Sequence, residues 1–395
     1  MNCSKYIGSY VLDWTKLQPC DIVLSRKSLS LKGLFHQKRL CEATKSGVIR
    51  LGSKHYSHAM LYVGSSVIHA HPPMVFAVNP QRLSAAHDDD YVCLRFNGLT
   101  LDQKQKIEEY ARGRIGALYS VTEAAKTMTK KFGDERDLSG LEFCSRLVAE
   151  AYDYAGIGLV KNISYCAPGD FLSVASLINM GSCTRRLDEH DKAIINSEDY
   201  VLLSQERSYK WLQSVNSLAA KDGLPIETLN SVFEYVLRFP KRDGDVFGLL
   251  KESGYLETWK DDAKAHGYRY DPMAMADLHA NQKSDFCNEV VCLFDCVGRY
   301  GDELISFDQI NGSLQTINAN ANMYRDMLND IQRRAVILVL LFISQPGVGP
   351  LSTLHAMCDH IINGSYSQHY SLPVRDETAK LIEAAKKYSD FSAEI

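Results

Sequence analysis

Cys144 is the residue of this sequence that is best placed to act as a nucleophile. It lies in the segment 143–152 (FCSRLVAEAY), where an apolar stripe of helical spacing starts just after the cysteine. A thiol attacks a carbonyl well only as the thiolate, and the start of a helix supplies backbone N–H groups that stabilise a developing oxyanion. The position therefore indicates a catalytic cysteine, although a cysteine is more often a buried, inert thiol.

His58 is the candidate base for this thiol. It begins a strand-like run at 58–63 (HAMLYV), which a short Gly/Ser turn separates from a second such run at 67–71 (VIHAH). A hairpin with this turn places His69 roughly across from His58, and the two-residue period of a strand places His71 on the same face as His69. His69 is therefore the candidate that orients His58, with His71 in reserve.

In this order, the motifs resemble those of the permuted papain-like cysteine hydrolases, which include the YiiX-type branch of the NlpC superfamily and the relatives of lecithin:retinol acyltransferase. That family has a D-[IV]-[IV]-L strand, an S-H-x-x-[IL]-Y-[VI]-G strand, a polar residue on the next strand and a later helix that opens with Cys. The resemblance covers about residues 17–175. The matching positions are 21–24, 57–64, His69 and Cys144, together with the segments 110–119 and 162–168.

The resemblance implies a nucleophilic Cys144, a basic His58 and an orienting His69. The thiolate would attack a carbonyl, backbone N–H groups at the helix start would hold the oxyanion, and water or another acceptor would resolve the acyl-enzyme. No metal ion and no organic cofactor is expected. Three further residues are candidates for the substrate site: Tyr56, Asp21 and Tyr119.

The residue at position 69 bears on the substrate. YiiX-type members usually carry an acidic residue where this chain has His69, whereas the acyltransferase relatives carry His. A neutral imidazole orients His58 more weakly than a carboxylate does, because the charge-assisted bond is missing. We expect a peptidase or amidase that acts on a peptide or protein; the alternative is a lipid acyltransferase, phospholipase or thioesterase with the same Cys-His-His site. A non-catalytic binding module is the third hypothesis.

The composition argues against nucleic acid as a partner. The net charge is −4, no basic stripe is present, and no phosphate-binding motif of the G-x-x-x-x-G-K or G-x-G-x-x-G type occurs. The pair Cys292 and Cys296 and the group His355, Cys358 and His360 match no strong metal-binding pattern. The sequence therefore predicts neither a nucleic-acid interface nor a metal site.

The N-terminus and the cysteine content indicate where the chain resides. The 11 cysteines are irregularly spaced and no signal-type N-terminus is present, which predicts reduced thiols. The most apolar run, 335–343, is far shorter than the ~20 residues that span a bilayer. We expect a cytoplasmic protein, or one secreted by a route without a signal peptide. A role as a bacterial effector or toxin is a hypothesis that rests on analogy between folds and not on particular residues.

The spacing of apolar residues predicts an α+β protein whose texture changes near residue 205. We predict a permuted papain-like domain with an antiparallel sheet and helices at 1–204. A mainly α-helical domain of unknown role, which binds a protein partner in one hypothesis, follows at 205–395. Predicted strands lie at 21–25, 58–63, 67–71, 91–96 and 200–203, and predicted helices at 102–114, from about 120, and at 143–154, 226–237, 243–260, 285–298, 322–345, 350–362 and 376–389.

Overall fold

The computed structural model of this chain shows an α+β fold, as predicted. Two antiparallel sheets and ten α-helices lie in the described residues, and the chain divides into two compact units, Met1–Val232 and Phe233–Ile395. All of the described strands belong to the first unit, and the described part of the second unit is helical. The structure describes residues 8–26, 56–119, 143–310 and 312–344.

The strands of the first unit are β1 (Tyr10–Leu12), β2 (Ile22–Ser25), β3 (His58–Tyr62), β4 (Val67–His71), β5 (Met74–Val78), β6 (Ser84–Ala85), β7 (Tyr91–Phe96), β8 (Leu177–Ser182) and β9 (Thr184–Arg186). Six of them form a sheet in the order β5-β4-β3-β2-β7-β8, and three form a second sheet in the order β6-β1-β9. The predicted hairpin is confirmed as β3 and β4. Gly64 in its turn has a φ of +84°, which glycine adopts without the steric cost that other residues bear.

The helices of the first unit are α1 (Leu101–Gly113), α2 (Cys144–Tyr154), α3 (Glu189–Asn196) and α4 (Tyr200–Ala219). The structure confirms the two predicted helices that became α1 and α2. At the start of α1, Thr100 accepts a hydrogen bond from the Gln103 N–H while the Gln103 side chain accepts one from the Thr100 N–H. This capping box satisfies two of the N–H groups that a helix start leaves without partners. The helix predicted from about residue 120 lies outside the described residues.

The two faces of the six-stranded sheet are buried in two different cores. Because side chains alternate along a strand, Ala59 and Leu61 point to one face and Met60 and Tyr62 to the other. The first pair packs in a core shared with α1 and α2, and the second pair packs in a core shared with β1 and β6. The helix that carries Cys144 therefore lies on one defined face of the sheet.

The predicted strand at 200–203 is wrong, because these residues form the first turn of α4. The short apolar run YVLL resembles a strand on its own. It continues, however, into buried residues at helical spacing, Trp211, Leu212 and Val215, and Asp199 caps the helix by accepting the Leu202 N–H at 3.0 Å. Packing of the whole helical face outweighs the β propensity of four residues.

Gln205 shows why the first compact unit continues past residue 204. Its side-chain amide donates to the Ala77 carbonyl at 2.8 Å and accepts the Ala77 N–H at 2.7 Å, which joins α4 to the edge strand β5. The loss of strand pattern near residue 205 therefore marks a change in secondary structure, and the compact unit extends to Val232.

The remaining helices are α5 (Leu229–Arg238), α6 (Asp243–Ser253), α7 (Thr258–Ala265), α8 (Pro272–Asn281), α9 (Lys283–Asp308) and α10 (Gln315–Ser344). The division between the units falls within α5. The runs predicted at 226–237, 285–298 and 322–345 overlap α5, α9 and α10, whereas the run predicted at 243–260 covers α6 and the start of α7, which Gly254 separates. The runs at 350–362 and 376–389 lie outside the described residues. No described helix combines the length and the apolar character that crossing a bilayer requires.

A buried ion pair ties β2 to β7 at one end of the larger sheet. The carboxylate of Asp21, only 1% exposed, accepts hydrogen bonds from Arg95 Nε at 2.8 Å and Nη2 at 2.6 Å. The Gln18 N–H and the Cys93 thiol donate to the same carboxylate at 2.7 and 3.2 Å. Asp21 therefore has a full set of internal partners, which is the arrangement of a structural carboxylate.

Replacing Arg95 with Met should destabilise the first unit by about 3 kcal/mol, because the Asp21 carboxylate would stay buried without its cation. Urea unfolding followed by far-UV circular dichroism measures this loss. Arg186 is a matched control, since it is an exposed strand arginine that lies over the Tyr10 ring. Replacing Arg186 with Met should lower the free energy of unfolding by less than about 1 kcal/mol. Equal losses in the two variants would contradict the structural role of the Asp21 pair.

Candidate active site

Cys144 is the first residue of α2, with Phe143 in the capping position before it. The first backbone hydrogen bond of the helix runs from the Leu147 N–H to the Phe143 carbonyl at 3.0 Å. The N–H groups of Cys144 and Ser145 come before this bond, so they have no acceptor within the helix. The Phe143 side chain supplies no cap either. The nucleophile candidate thus lies where backbone donors are available to an anion.

The helix α2, which begins at Cys144, packs against both β3 and β4. The two strands pair at Leu61↔Ile68 and Tyr62↔Val67. The Tyr62 N–H donates to the Asp21 carbonyl just before β2, and because N–H directions alternate along a strand, the Ala59 N–H faces β4. This Ala59 N–H lowers the pKa of the Cys144 thiol. The helix α2 packs against the strand that begins with His58.

The imidazoles of His58 and His69 are in hydrogen-bond contact. Nε2 of His58 lies 3.0 Å from Nδ1 of His69, with the rings nearly perpendicular at a centroid distance of 5.0 Å. Both side chains are buried. The proximity that the hairpin predicted for these residues is confirmed, while their catalytic roles stay predictions. Since one nitrogen donates and the other accepts, each ring is restricted to one tautomer in the neutral pair.

His71, the reserve candidate, is less buried and has a different partner. Its ring centroid lies 6.4 Å from that of His58 and 6.3 Å from that of His69. Its Nδ1 lies 2.8 Å from the Pro72 carbonyl and donates to it, because a carbonyl only accepts. His69 rather than His71 therefore contacts His58.

Burial keeps the three histidines neutral. It lowers the pKa of His58 to about 3, with the charge of His71 as a smaller cause. It also lowers the pKa of His69 well below 6.5, with the neighbouring His58 and His71 adding to the effect. For His71, burial lowers the pKa and the Pro72 carbonyl opposes this. A buried imidazolium would lack the solvation that stabilises it, so the cluster carries no charge at neutral pH.

The thiol of Cys144 is also neutral at rest. Only 8% of the residue is exposed, and burial raises the pKa of the thiol above its ordinary value of 9.0. Hydrogen bonds from the N–H groups of Ala59 and Ser145 act in the opposite direction, because they stabilise the thiolate. At rest, the site thus holds a neutral thiol and neutral imidazoles, and backbone N–H groups lower the pKa of the thiol.

The three candidate substrate-site residues lie in different surroundings. Burial raises the pKa of Tyr119, and the charge of Cys144 is a smaller cause. Tyr56 is buried in the core with Arg26 over its ring at 5.7 Å. Asp21 lies at the opposite end of β2 from His58, since Ser25 is the residue that pairs with His58. Among the three, Tyr119 is the one whose pKa depends on Cys144.

Two residues at the site were not predicted from the sequence, Ser145 and Cys166. The hydroxyl of Ser145 donates to the Cys166 carbonyl at 2.6 Å, and both residues are buried. Cys166 lies in the segment 162–168, whose likeness to the post-helix segment of the papain-like pattern was the available signal. Among the described residues, no group of three or more His, Cys, Asp or Glu side chains is arranged to hold a metal ion.

Comparison with known proteins gives no match for this chain, neither among protein-family models, nor among curated proteins, nor among solved structures. The resemblance to the permuted papain-like hydrolases stays a prediction that depends on the motifs described above.

Alkylation of Cys144 by iodoacetamide should be slow at pH 7 in the folded protein and should rise about tenfold per pH unit beyond pH 9. The reason is that only the thiolate reacts and burial raises the thiol pKa. Peptide mass spectrometry after timed quenching measures the rate at this residue. The same cysteine in the urea-unfolded chain is the control, and its alkylation rate should reach half of its maximum at a lower pH. A plateau below pH 7 would instead reveal a thiolate–imidazolium pair.

The buried histidines should make the first unit sensitive to acid. The unfolded chain takes up protons below pH 6.5, whereas folded His58 does so only near pH 3, so stability is fully present above pH 6.5 and is lost as the pH falls. Each such buried histidine should lower the free energy of unfolding by about 1.4 kcal/mol between pH 7.5 and 5.5. Urea titrations at the two pH values should show a smaller loss for His69→Gln than for wild type. The variant His87→Gln, at an exposed position, should behave as wild type, and equal losses for both variants would contradict this assignment.

Proposed function

We propose that the chain is a cysteine hydrolase that cleaves an amide bond through an acyl-enzyme, as a peptidase or amidase. Cys144 is the nucleophile, His58 the base and His69 the residue that orients His58. The observation that carries the proposal is the hydrogen bond between the imidazoles of His58 on β3 and His69 on β4, because α2, which begins at Cys144, packs against both of these strands. A buried structural thiol needs no such arrangement of donors and imidazoles.

The hydrogen-bonded pair assigns the direction of proton transfer. Nε2 of His58 is engaged with Nδ1 of His69, which leaves Nδ1 of His58 to accept the proton of Cys144. As the sulfur attacks the carbonyl carbon, the imidazolium of His58 forms and His69 accepts its Nε2–H. The amine leaves with the proton held by His58, and a thioester on Cys144 remains. Water, deprotonated by His58, then attacks the thioester and releases the acid.

The N–H groups at the start of α2 stabilise the charged states of this reaction. Those of Cys144 and Ser145 are free of helical partners, and the helix dipole is positive at this end. The negative charge moves from the sulfur to the carbonyl oxygen during attack, within a site that burial shields from water. The same donors therefore serve first the thiolate and then the oxyanion.

A lipid acyltransferase, phospholipase or thioesterase that uses the same residues is the second candidate. It is favoured by the neutral His69, which stabilises an imidazolium less than a carboxylate would. Esters and thioesters expel better leaving groups than amides, so weaker assistance from the base is sufficient. The transferred acyl group would pass from Cys144 to water or to a second acceptor.

A binding module without catalysis is the third candidate, and the raised thiol pKa of the buried Cys144 favours it. It predicts ligand binding that survives replacement of the sulfur. Residence in the cytoplasm, or secretion as an effector without a signal peptide, and a protein partner for the helical second half are further proposals. Truncation after Val232, where the first compact unit ends, is the suitable way to test the helical half.

Substrate profiling of the purified chain tests the proposal. Peptide libraries and phospholipid vesicles are incubated with wild type, Cys144→Ala and His58→Ala, and products are identified by mass spectrometry. Loss of Cys144 should abolish product, and loss of His58 should lower the rate by about 10²–10⁴-fold. Released peptide fragments support the amidase, and released or transferred fatty acid supports the lipid enzyme instead.

Cys183→Ala is the matched control for this experiment. Cys183 is buried, as Cys144 is, and lies in the core on the other face of the sheet. Its variant should retain the wild-type rate. Activity that persists in Cys144→Ala, or that falls equally in both cysteine variants, would overturn the catalytic assignment.

A further inference from the structure

Ser145 occupies the second position of α2, directly after the nucleophile candidate. Its side chain is 1% exposed, and Oγ donates to the Cys166 carbonyl at 2.6 Å. Cys166 follows the short helical turn Ile163–Tyr165 and is itself buried, with Sγ 3.6 Å from the Ile163 carbonyl. The hydroxyl thus joins the start of α2 to the loop that follows the helix.

We infer that Ser145 is a positioning residue for Cys144, whose hydroxyl holds the post-helix loop in the resting state and turns to hydrogen-bond the sulfur when the thiolate forms. This inference depends on the proposed function, in which Cys144 must ionise. The inference gives the side-chain hydroxyl of Ser145 a role that is distinct from that of its backbone N–H group. Through this hydroxyl, the loop that follows α2 helps to position Cys144.

The Ser145 hydroxyl cannot donate to the Cys166 carbonyl and to the Cys144 sulfur at the same time. A serine hydroxyl has one proton to donate and two lone pairs that accept. At rest, that proton is given to the Cys166 carbonyl, and the Cys144 thiol needs no donor because it is neutral. A thiolate is a far better acceptor than a neutral thiol, so ionisation changes which acceptor Ser145 prefers.

The position of Ser145 places its hydroxyl near the nucleophile candidate. Ser145 follows Cys144 directly in the first turn of α2, and its Oγ donates to the Cys166 carbonyl. Rotation of the Ser145 side chain is therefore the movement that would bring the hydroxyl to the sulfur. After burial and the N–H groups of Ala59 and Ser145, the Ser145 hydroxyl is the next influence on the pKa of Cys144, and it lowers that pKa. Burial raises the pKa of Cys166, and the same hydroxyl opposes that rise.

The titratable groups around the sulfur come from four segments of the first unit, and the experiment must separate their effects. They are His58 on β3, His69 and His71 on β4, Tyr119 after α1, and Cys166 with Asp170 after α2. Burial keeps the histidines neutral above pH 7 and raises the pKa of Tyr119 and of Cys166 above their ordinary values. Between pH 7 and 9, the thiol of Cys144 is thus the group whose ionisation the alkylation rate follows.

The test is the pH profile of Cys144 alkylation in full-length wild type, Ser145→Ala and Ser145→Thr, read by peptide mass spectrometry with iodoacetamide as the probe. Ser145→Ala should lower the rate between pH 7 and 9 by about tenfold, which corresponds to an upward pKa shift of about one unit. Ser145→Thr keeps a hydroxyl and should restore the wild-type profile. Thermal unfolding of each variant shows whether the fold is retained.

Ser208→Ala is the matched control, because Ser208 is a buried serine of the same unit whose hydroxyl donates to the Gln205 carbonyl at 2.9 Å. Its profile should equal that of wild type. A folded Ser145→Ala with an unchanged profile, or a Ser145→Thr that fails to restore it, would overturn the inference. Alkylation needs no substrate, so this outcome is independent of substrate profiling, where loss of activity in Cys144→Ala is the separate test of the proposed function.

Discussion

The hydrogen bond between the imidazoles of His58 and His69 is the interaction on which the rest of the site depends. It joins β3 to β4 beyond the residue pairs Leu61↔Ile68 and Tyr62↔Val67, and α2, which begins at Cys144, packs against both strands. The N–H of Ala59, one residue after His58, lowers the pKa of the Cys144 thiol. The two cores on either side of the sheet hold this arrangement in place.

Burial sets the chemical character of the site. It suppresses the charged forms of His58, His69 and the Cys144 thiol, so these three groups are neutral at rest. A neutral pair reacts only when a carbonyl is already in place, since proton transfer and attack must then occur together. Backbone donors that need no reorganisation are suited to such a reaction. The hydroxyl of Ser145 would add a donor that responds to the charge on the sulfur.

Parts of this arrangement could be predicted from the sequence because they arise from local rules. The alternation in 58–71 and its Gly/Ser turn specify a hairpin that brings His58 and His69 together. The register of Leu61↔Ile68 and Tyr62↔Val67, continued along the strands, sets His71 directly opposite His58, so the contact between His58 and His69 is a diagonal one. The helical stripe after Cys144 predicts α2 and the place of the thiol at its start. Both patterns are periodic over five or more residues, which is enough to identify an element and its buried face.

Other parts depend on contacts that no local pattern records. Strands β1, β6 and β9 have two or three residues each, too few for a period to be visible. Strand β8 lies at a sheet edge, where Ile178 and Met180 are half-exposed and give no buried face. The run at 200–203 was misassigned because helix packing further along the chain decides its conformation. The bond between Ser145 and Cys166 likewise joins a helix to a loop and has no periodic signature.

The most direct measurement of the central claim is covalent trapping of the acyl-enzyme. The purified chain is treated with p-nitrophenyl acetate at neutral pH, quenched in acid and digested, and the acetylated residue is identified by mass spectrometry. The account predicts a single acetyl group on Cys144, whose formation is lost in His58→Ala while the folded structure is retained. Acetylation that is spread over other cysteines, or that proceeds on Cys144 at the same rate without His58, would contradict it.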